Sequence, residues 1–173
     1  MISTAIFLIY AAGFFLLAWM LWIVWQMRKK GAPFWPSSRR KVKEMLELAQ
    51  VREGDCVADL GSGDGRLILA AAEAGAKKAT GYEIDPFWLN VAVEKRKRSP
   101  HMEKIQFVKQ SFWDANLGEC NVVFLYQGKH IMRDLNKKLK KELPRGARVI
   151  SNRHTFPEWT PTKTSSGVHL YIL

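Results

Sequence analysis

The sequence predicts an α/β fold, a doubly wound sheet of parallel strands closed by one antiparallel strand and preceded by a single apolar helix. Three observations carry that expectation. Val57-Ala58-Asp59-Leu60-Gly61-Ser62-Gly63-Asp64-Gly65-Arg66-Leu67 passes from an apolar run through three glycines at alternate positions into a helical apolar pattern. That is the order strand, tight turn, helix which opens a nucleotide-binding βαβ unit. Asn121-Val122-Val123-Phe124-Leu125-Tyr126 is a nearly continuous apolar run, as expected of a parallel strand buried on both faces. Around them, short strands alternate with helical patterns over short connections, which favours one sheet with right-handed crossovers.

The elements follow in order. Residues 1–27 contain no Lys, Arg, Asp, Glu or His. A helix from Ile2 to Met27 would be roughly 39 Å long, more than the about 30 Å of a hydrocarbon core, so it would span with tilt. Trp19, Trp22 and Trp25 gather toward one end and Arg28-Lys29-Lys30 follow at once. A cleaved signal would instead carry its charges ahead of a shorter apolar run. The segment is therefore expected to be a transmembrane anchor, with the rest of the chain on the cytoplasmic side or, in an organelle, the matrix side. Residues 28–38 read as a basic linker rich in proline and aromatics, and 39–173 as the folded domain.

Within that domain Ser37 or Ser38 caps a helix from about Arg39 to Gln50, whose Val42, Met45, Leu46 and Ala49 keep helical spacing. Strand one is Cys56 to Leu60, and a helix from about Gly65 to Ala74 stops at Gly75. Strand two runs from Ala79 to Glu83. Asp85 and Pro86 start a helix reaching Arg98, with Leu89, Ala92 and Val93 inward. Ile105 to Lys109 is strand three and Asn121 to Tyr126 strand four. A helix from about Ile131 to Leu143 ends at Pro144-Arg145-Gly146, and Ala147 to Ser151 is strand five. The closing strand, Val168 to Leu173, is reached through a loop from Phe156 to Gly167 without a helix, so it is expected to pair antiparallel.

The formal charge of +11 falls entirely from Arg28 onward. Lys95 to Arg98 and Lys137 to Lys141 are basic clusters. With an anchor upstream, attraction to an anionic leaflet explains them better than nucleic acid does. Cys56 and Cys120 show no metal spacing and are expected to be reduced, buried thiols. No metal site is expected.

The glycine turn has the spacing G-x-G-x-G, and Asp59 stands just before it. A pyrophosphate would be repelled by that carboxylate, whereas the amino group of S-adenosylmethionine would be attracted. In these features the stretch resembles the first motif of class I methyltransferases. Glu83 lies 22 residues beyond Gly61 at the end of strand two, where an acid accepts from a ribose diol. The cofactor residues are thus expected to be Asp59, Gly61, Ser62, Gly63, Gly65 and Glu83. In that class the loop after strand three covers the adenine, which makes Asp114 the candidate acceptor and Trp113 or Phe112 the stacking ring. The end of strand four faces the transferred methyl, which points to Tyr126 and Gln127 as acceptor-pocket candidates; no general base is assigned. His130 and His154 lie near strand ends and are read as structural. The class has seven strands. Six are found here, and the missing unit is expected between strand four and the helix at Ile131.

Taken together, the proline and aromatic linker, Leu46-Glu47-Leu48-Ala49, the stretch from Asp59 to Arg66, Gly81-Tyr82-Glu83 and Arg153…Phe156-Pro157-Glu158-Trp159 resemble one group. It comprises the membrane-anchored protein-lysine methyltransferases acting on the mitochondrial adenine nucleotide translocase and the ATP synthase c-subunit, with their prokaryotic relatives. The resemblance covers about residues 30 to 160. It implies S-adenosylmethionine as cofactor, a protein substrate with a lysine near the membrane surface, and a linker from Phe34 to Ser37 that helps close the site. Tyr126-Gln127-Gly128 departs from the expected pattern and leaves the acceptor open. A small molecule, lipid or RNA remains an alternative acceptor, as does a membrane-tethered module that binds the cofactor without catalysis.

Overall fold

The computed structural model describes residues 10–21 and 37–173. The chain divides into two compact units, Met1–Gly31 and Ala32–Leu173. In the first, residues 10–21 are helical, with Tyr10, Phe14, Phe15, Trp19 and Leu21 exposed. Twelve residues of helix are about 18 Å long, and among the described residues no helix is long and apolar enough to cross a membrane. The rest of the expected anchor, and the linker from Phe34 to Pro36, lie outside the described residues.

The second unit is built on a seven-stranded sheet. Its strands are β1 (Cys56–Leu60), β2 (Lys78–Glu83), β3 (Ile105–Lys109), β4 (Val122–Leu125), β5 (Arg148–Asn152), β6 (Lys163–Ser165) and β7 (Val168–Ile172). Their order is β3-β2-β1-β4-β5-β7-β6. The first five are mutually parallel, and β7 runs antiparallel to both β5 and β6. Among the described residues four α-helices accompany them: α1 (Arg39–Ala49), α2 (Arg66–Glu73), α3 (Pro86–Lys97) and α4 (Met132–Glu142).

The expected antiparallel closing strand is present, but the expected strand count is corrected. The seventh strand is β6, three exposed residues within the loop before β7. The economy of the fold lies after β5, where residues 153–162 join β5 to β6 without a helix, and not after β4.

Alternation along the strands divides the core into two layers. Val57, Ala79, Val122, Phe124 and Ile150 pack with Val42, Met45, Ile68 and Ala71 of α1 and α2. Ala58, Leu60, Val123, Leu125 and Val149 pack with Met132, Leu135 and Leu139 of α4, together with Phe112, Leu117 and Tyr171. Helix α3 is less deeply seated than its sequence suggests: Ala92 is buried, whereas Leu89 and Val93 are half-buried. Ser38 caps α1 by accepting from the Lys41 amide at 3.2 Å, and Asp85 caps α3 through the Phe87 and Trp88 amides.

Candidate active site

The site forms where β1 and β2 end side by side. Asp59 pairs in register with Gly81 and Leu60 with Tyr82, so Asp59 and Glu83 arrive together at the C-terminal edge. Beyond Leu60 the chain turns with Gly61, Gly63 and Gly65 at φ of 85°, 53° and 76°, conformations that cost an L side chain but not glycine. The amides of Gly61 and Ser62 donate to the Tyr82 carbonyl at 2.9 and 3.0 Å, stitching the turn to β2. Gly81 permits this approach, because a Cβ there would sit 2.6 Å from Ser62 Oγ and 2.7 Å from Phe107 Cδ1. Gly65 is equally enclosed, between Phe107 and Ala92.

The Glu83 carboxylate is buried and accepts three backbone amides: Gly63 on Oε2 at 2.8 Å, and Ile84 and Asp85 on Oε1, each at 2.8 Å. A carboxylate offers about four acceptor positions, so Oε2 keeps room for a ligand hydroxyl. Asp59 is buried without a cationic partner among the described residues. Burial, then the neighbouring charges of Glu83 and Asp64, hold its carboxyl well above the usual range. Ser62 Oγ is buried with no hydrogen-bond partner. Two buried carboxylates without a counter-charge, an unpaired hydroxyl and a turn open to backbone approach suit a ligand with a cationic end and a diol.

Asp64 has a different setting. Its carboxylate accepts from Arg66 Nη2 at 2.7 Å and from Lys95 Nζ at 2.5 Å. Burial acts against its charge, but these two partners prevail and pull the carboxyl down to about 2. Arg66 also donates Nη1 to the Ser37 carbonyl at 2.6 Å, and Asn152 Nδ2, at the end of β5, lies 3.5 Å from Ser37 Oγ. The end of the linker is therefore clamped between the glycine turn and β5. Sequence reasoning quoted Arg66 within its motif yet gave it no role, read Lys95 only as part of a basic cluster, and passed over Asn152; partners 29, 31 and 115 residues apart leave no local signal.

The loop after β3 begins beside Glu83, whose carbonyl accepts from the Gln110 amide at 3.2 Å. Phe112 is buried in the core, which removes it as a stacking candidate and leaves Trp113, half-buried with its ring centroid 5.0 Å from that of Phe112. Asp114 is exposed. At the end of β4, Tyr126 is half-buried, whereas Gln127 is buried and donates Nε2 to the Leu60 carbonyl at 2.7 Å. Gln127 thus supports the turn at Gly61, where an added Cβ would meet its amide nitrogen at 2.6 Å.

Just past β5, Arg153 adopts φ 73°. Burial, then Arg153 and Lys129, push the His154 imidazole below its ordinary value. No group of three or more His, Cys, Asp or Glu is placed to hold a metal among the described residues. Cys56 is half-buried and Cys120 buried, and both are free thiols. They line a cavity of about 240 Å³ with Thr80, Tyr82 and Glu119 that shares no residue with the glycine turn.

Residues 59–163 match the family described as the ANTKMT methyltransferase domain. The chain belongs to this family. It is 36% identical over 129 residues to the adenine nucleotide translocase lysine N-methyltransferase of Mus musculus, covering 75% of this chain and 56% of that protein. It is 33% identical over 150 residues to a protein-lysine N-methyltransferase of Saccharolobus islandicus, covering 82% and 93%. Among solved structures it resembles an RNA methyltransferase from Salinibacter ruber in complex with S-adenosyl-L-homocysteine. That match has a TM-score of 0.74 and 32% identity, and covers 79% of this chain and 91% of that one. The chain thus spans little more than half the length of the mouse relative.

Proposed function

We propose that this protein is an S-adenosylmethionine-dependent protein-lysine N-methyltransferase whose substrate is a membrane-associated protein, and that residues 1–27 anchor it to the bilayer. The observation that carries the activity is the convergence of Asp59, Glu83 and the glycine turn in a chain of this family. The lysine acceptor is supported by relatives whose names specify lysine N-methylation. The anchor is supported by the uncharged composition of residues 1–27 and by the exposed apolar helix at 10–21. The basic residues that follow support a cytoplasmic or matrix side for the domain.

In this reading Asp59 takes the amino group of the cofactor, Glu83 the ribose hydroxyls, and Trp113 and Asp114 the adenine. When bound, S-adenosylmethionine supplies an electrophilic methyl on a sulfonium. The protein's own contribution is alignment, which is worth about 7–11 kcal/mol in well-oriented systems. Gln127 and Gly81 keep the turn in place, and Arg66 ties Ser37 to the start of α2 through the Ser37 carbonyl. A lysine amine, with a reference pKa of about 10.4, must be neutral to attack, and burial beside Tyr126 favours that form.

RNA is the second reading, favoured by the Salinibacter ruber match. Both are tested by incubating the detergent-solubilised protein, and an Asp59→Ala/Glu83→Ala control, with membranes, RNA and methyl-labelled cofactor. Mass spectrometry then identifies the labelled product. Label on a lysine of a membrane protein, absent with the control, is expected; label confined to RNA or lipid overturns the lysine assignment and leaves the cofactor site standing.

A further inference from the structure

We propose that the site-bearing end of the sheet docks on an anionic bilayer surface, with Ile84 and Phe87 entering the interface and Lys129 and Arg153 binding lipid phosphates. The four residues come from separate elements that the topology gathers at one end. Ile84 directly follows β2, Phe87 lies in the first turn of α3, Lys129 stands four residues beyond β4, and Arg153 directly follows β5. Strands β2 and β5 are separated by β1 and β4, so the two halves of the patch lie about 14 Å apart at a strand spacing of ~4.8 Å. The glycine turn opens between them.

Both halves carry an unexplained exposure. Phe87 is 64% and Ile84 47% exposed, beside a cofactor site and not in the core, and Phe87 meets Trp88 edge-on at 4.9 Å. Lys129 and Arg153 are exposed and form no ion pair among the described residues. Their fields meet at His154, whose imidazole both hold down. Arg133 adds a third cation, though Glu158 lies 4.0 Å away and offsets it.

Aliphatic and aromatic side chains beside unpaired cations match the chemistry of a bilayer interface, where apolar groups sink to the acyl boundary and cations meet phosphate. An acidic protein would satisfy the cations but not Ile84 and Phe87. The excess of +11 carried after an uncharged stretch of 27 residues points the same way. Docked so, the acceptor pocket opens toward the plane in which the substrate lies.

The inference rests on the reading that the chain is held at a membrane, and one experiment separates the two. The full chain is reconstituted with vesicles of phosphatidylcholine alone or with added phosphatidylglycerol. Flotation with phosphatidylcholine alone reports the anchor; failure to float overturns the anchor. Amide hydrogen exchange at 84–88 and 128–133 then reports the docking. Exchange slower on the anionic vesicles than on the neutral ones, and restored by high salt, is the expected result. Lys129→Glu/Arg153→Glu should lower the docked fraction ratio at least about 30-fold, from ~1 kcal/mol for each cation lost at such a surface. Phe87→Ser should weaken docking on its own. Equal exchange on both vesicles overturns the docking surface. So does an equal loss in Arg52→Glu/Lys77→Glu/Lys104→Glu at the opposite end of the strands, and so does protection that appears only when RNA or an acidic protein is added.

Discussion

Asp59 and Asp64 lie five residues apart in one motif, yet their environments push them in opposite directions. The Asp59 carboxyl is raised by burial and by Glu83 and Asp64, so the folded chain holds that proton more tightly than the unfolded one. Its contribution to stability is present in acid and lost as pH rises from 3.8 toward the folded value. Above the unfolded value the buried carboxyl therefore costs the ligand-free protein stability. Asp59→Asn is therefore expected to raise the thermal midpoint of the ligand-free protein while abolishing the further rise on adding S-adenosylhomocysteine; a lower midpoint would contradict the assignment. Asp64 behaves conversely. Arg66 and Lys95 overcome burial and lower it to about 2, so its stabilisation is present at neutral pH and lost as pH falls from 3.8 toward 2. Asp64→Asn should destabilise at pH 7 by up to about 2 kcal/mol, less with screening of the half-exposed partners, and the deficit measured by urea should shrink in acid. The sequence already marked both residues by their place around the glycines. It assigned Asp59 to the cofactor and gave Asp64 no role, because the cations that define Asp64 are set by Lys95, in α3, and by the folded direction of Arg66.

At the scale of elements, legibility followed burial. Strands β1 and β4 were read from apolar runs because both faces of a central parallel strand are covered. Strand β6 escaped for the opposite reason. Lys163, Thr164 and Ser165 are all exposed at the sheet edge, so no alternation is written into them. The signal that was present lies in the turn: Ser166 and Gly167 have φ of 48° and 76°, the pair of left-handed residues that closes a two-residue hairpin between β6 and β7. Lys41 Nζ donates to the Ser166 carbonyl at 2.6 Å and ties this hairpin to α1. Serine pays a conformational cost there that asparagine largely avoids. Ser166→Asn should stabilise the domain by about 0.5–1 kcal/mol, seen as a higher urea midpoint at unchanged slope. Phe112 and Trp113 illustrate a related limit, since neighbouring residues in a turn share no periodicity that tells which ring faces the core.

For the whole molecule, the division into Met1–Gly31 and Ala32–Leu173 sets the candidate site apart from the proposed anchor. Both core layers, the glycine turn, Asp59, Glu83 and the clamp on Ser37 lie in the second unit. Under the proposed anchoring the apolar segment would act on encounter: it would confine enzyme and substrate to one plane, and such linkage raises apparent affinity by about 10²–10⁴ without adding a contact. A chain starting at Ala32 is therefore expected to bind S-adenosylhomocysteine as the full chain does and to methylate a detergent-solubilised acceptor at a similar rate. On the same acceptor embedded in vesicles it should lose about 10²-fold or more in rate at equal enzyme concentration. An equal loss in detergent would mean that residues 1–31 contribute to the site itself. Undiminished activity on vesicles would mean that the second unit reaches the bilayer unaided, through its own exposed rings and cations. The size of the loss thus measures how much of the proposed encounter with a membrane-bound acceptor depends on residues 1–31.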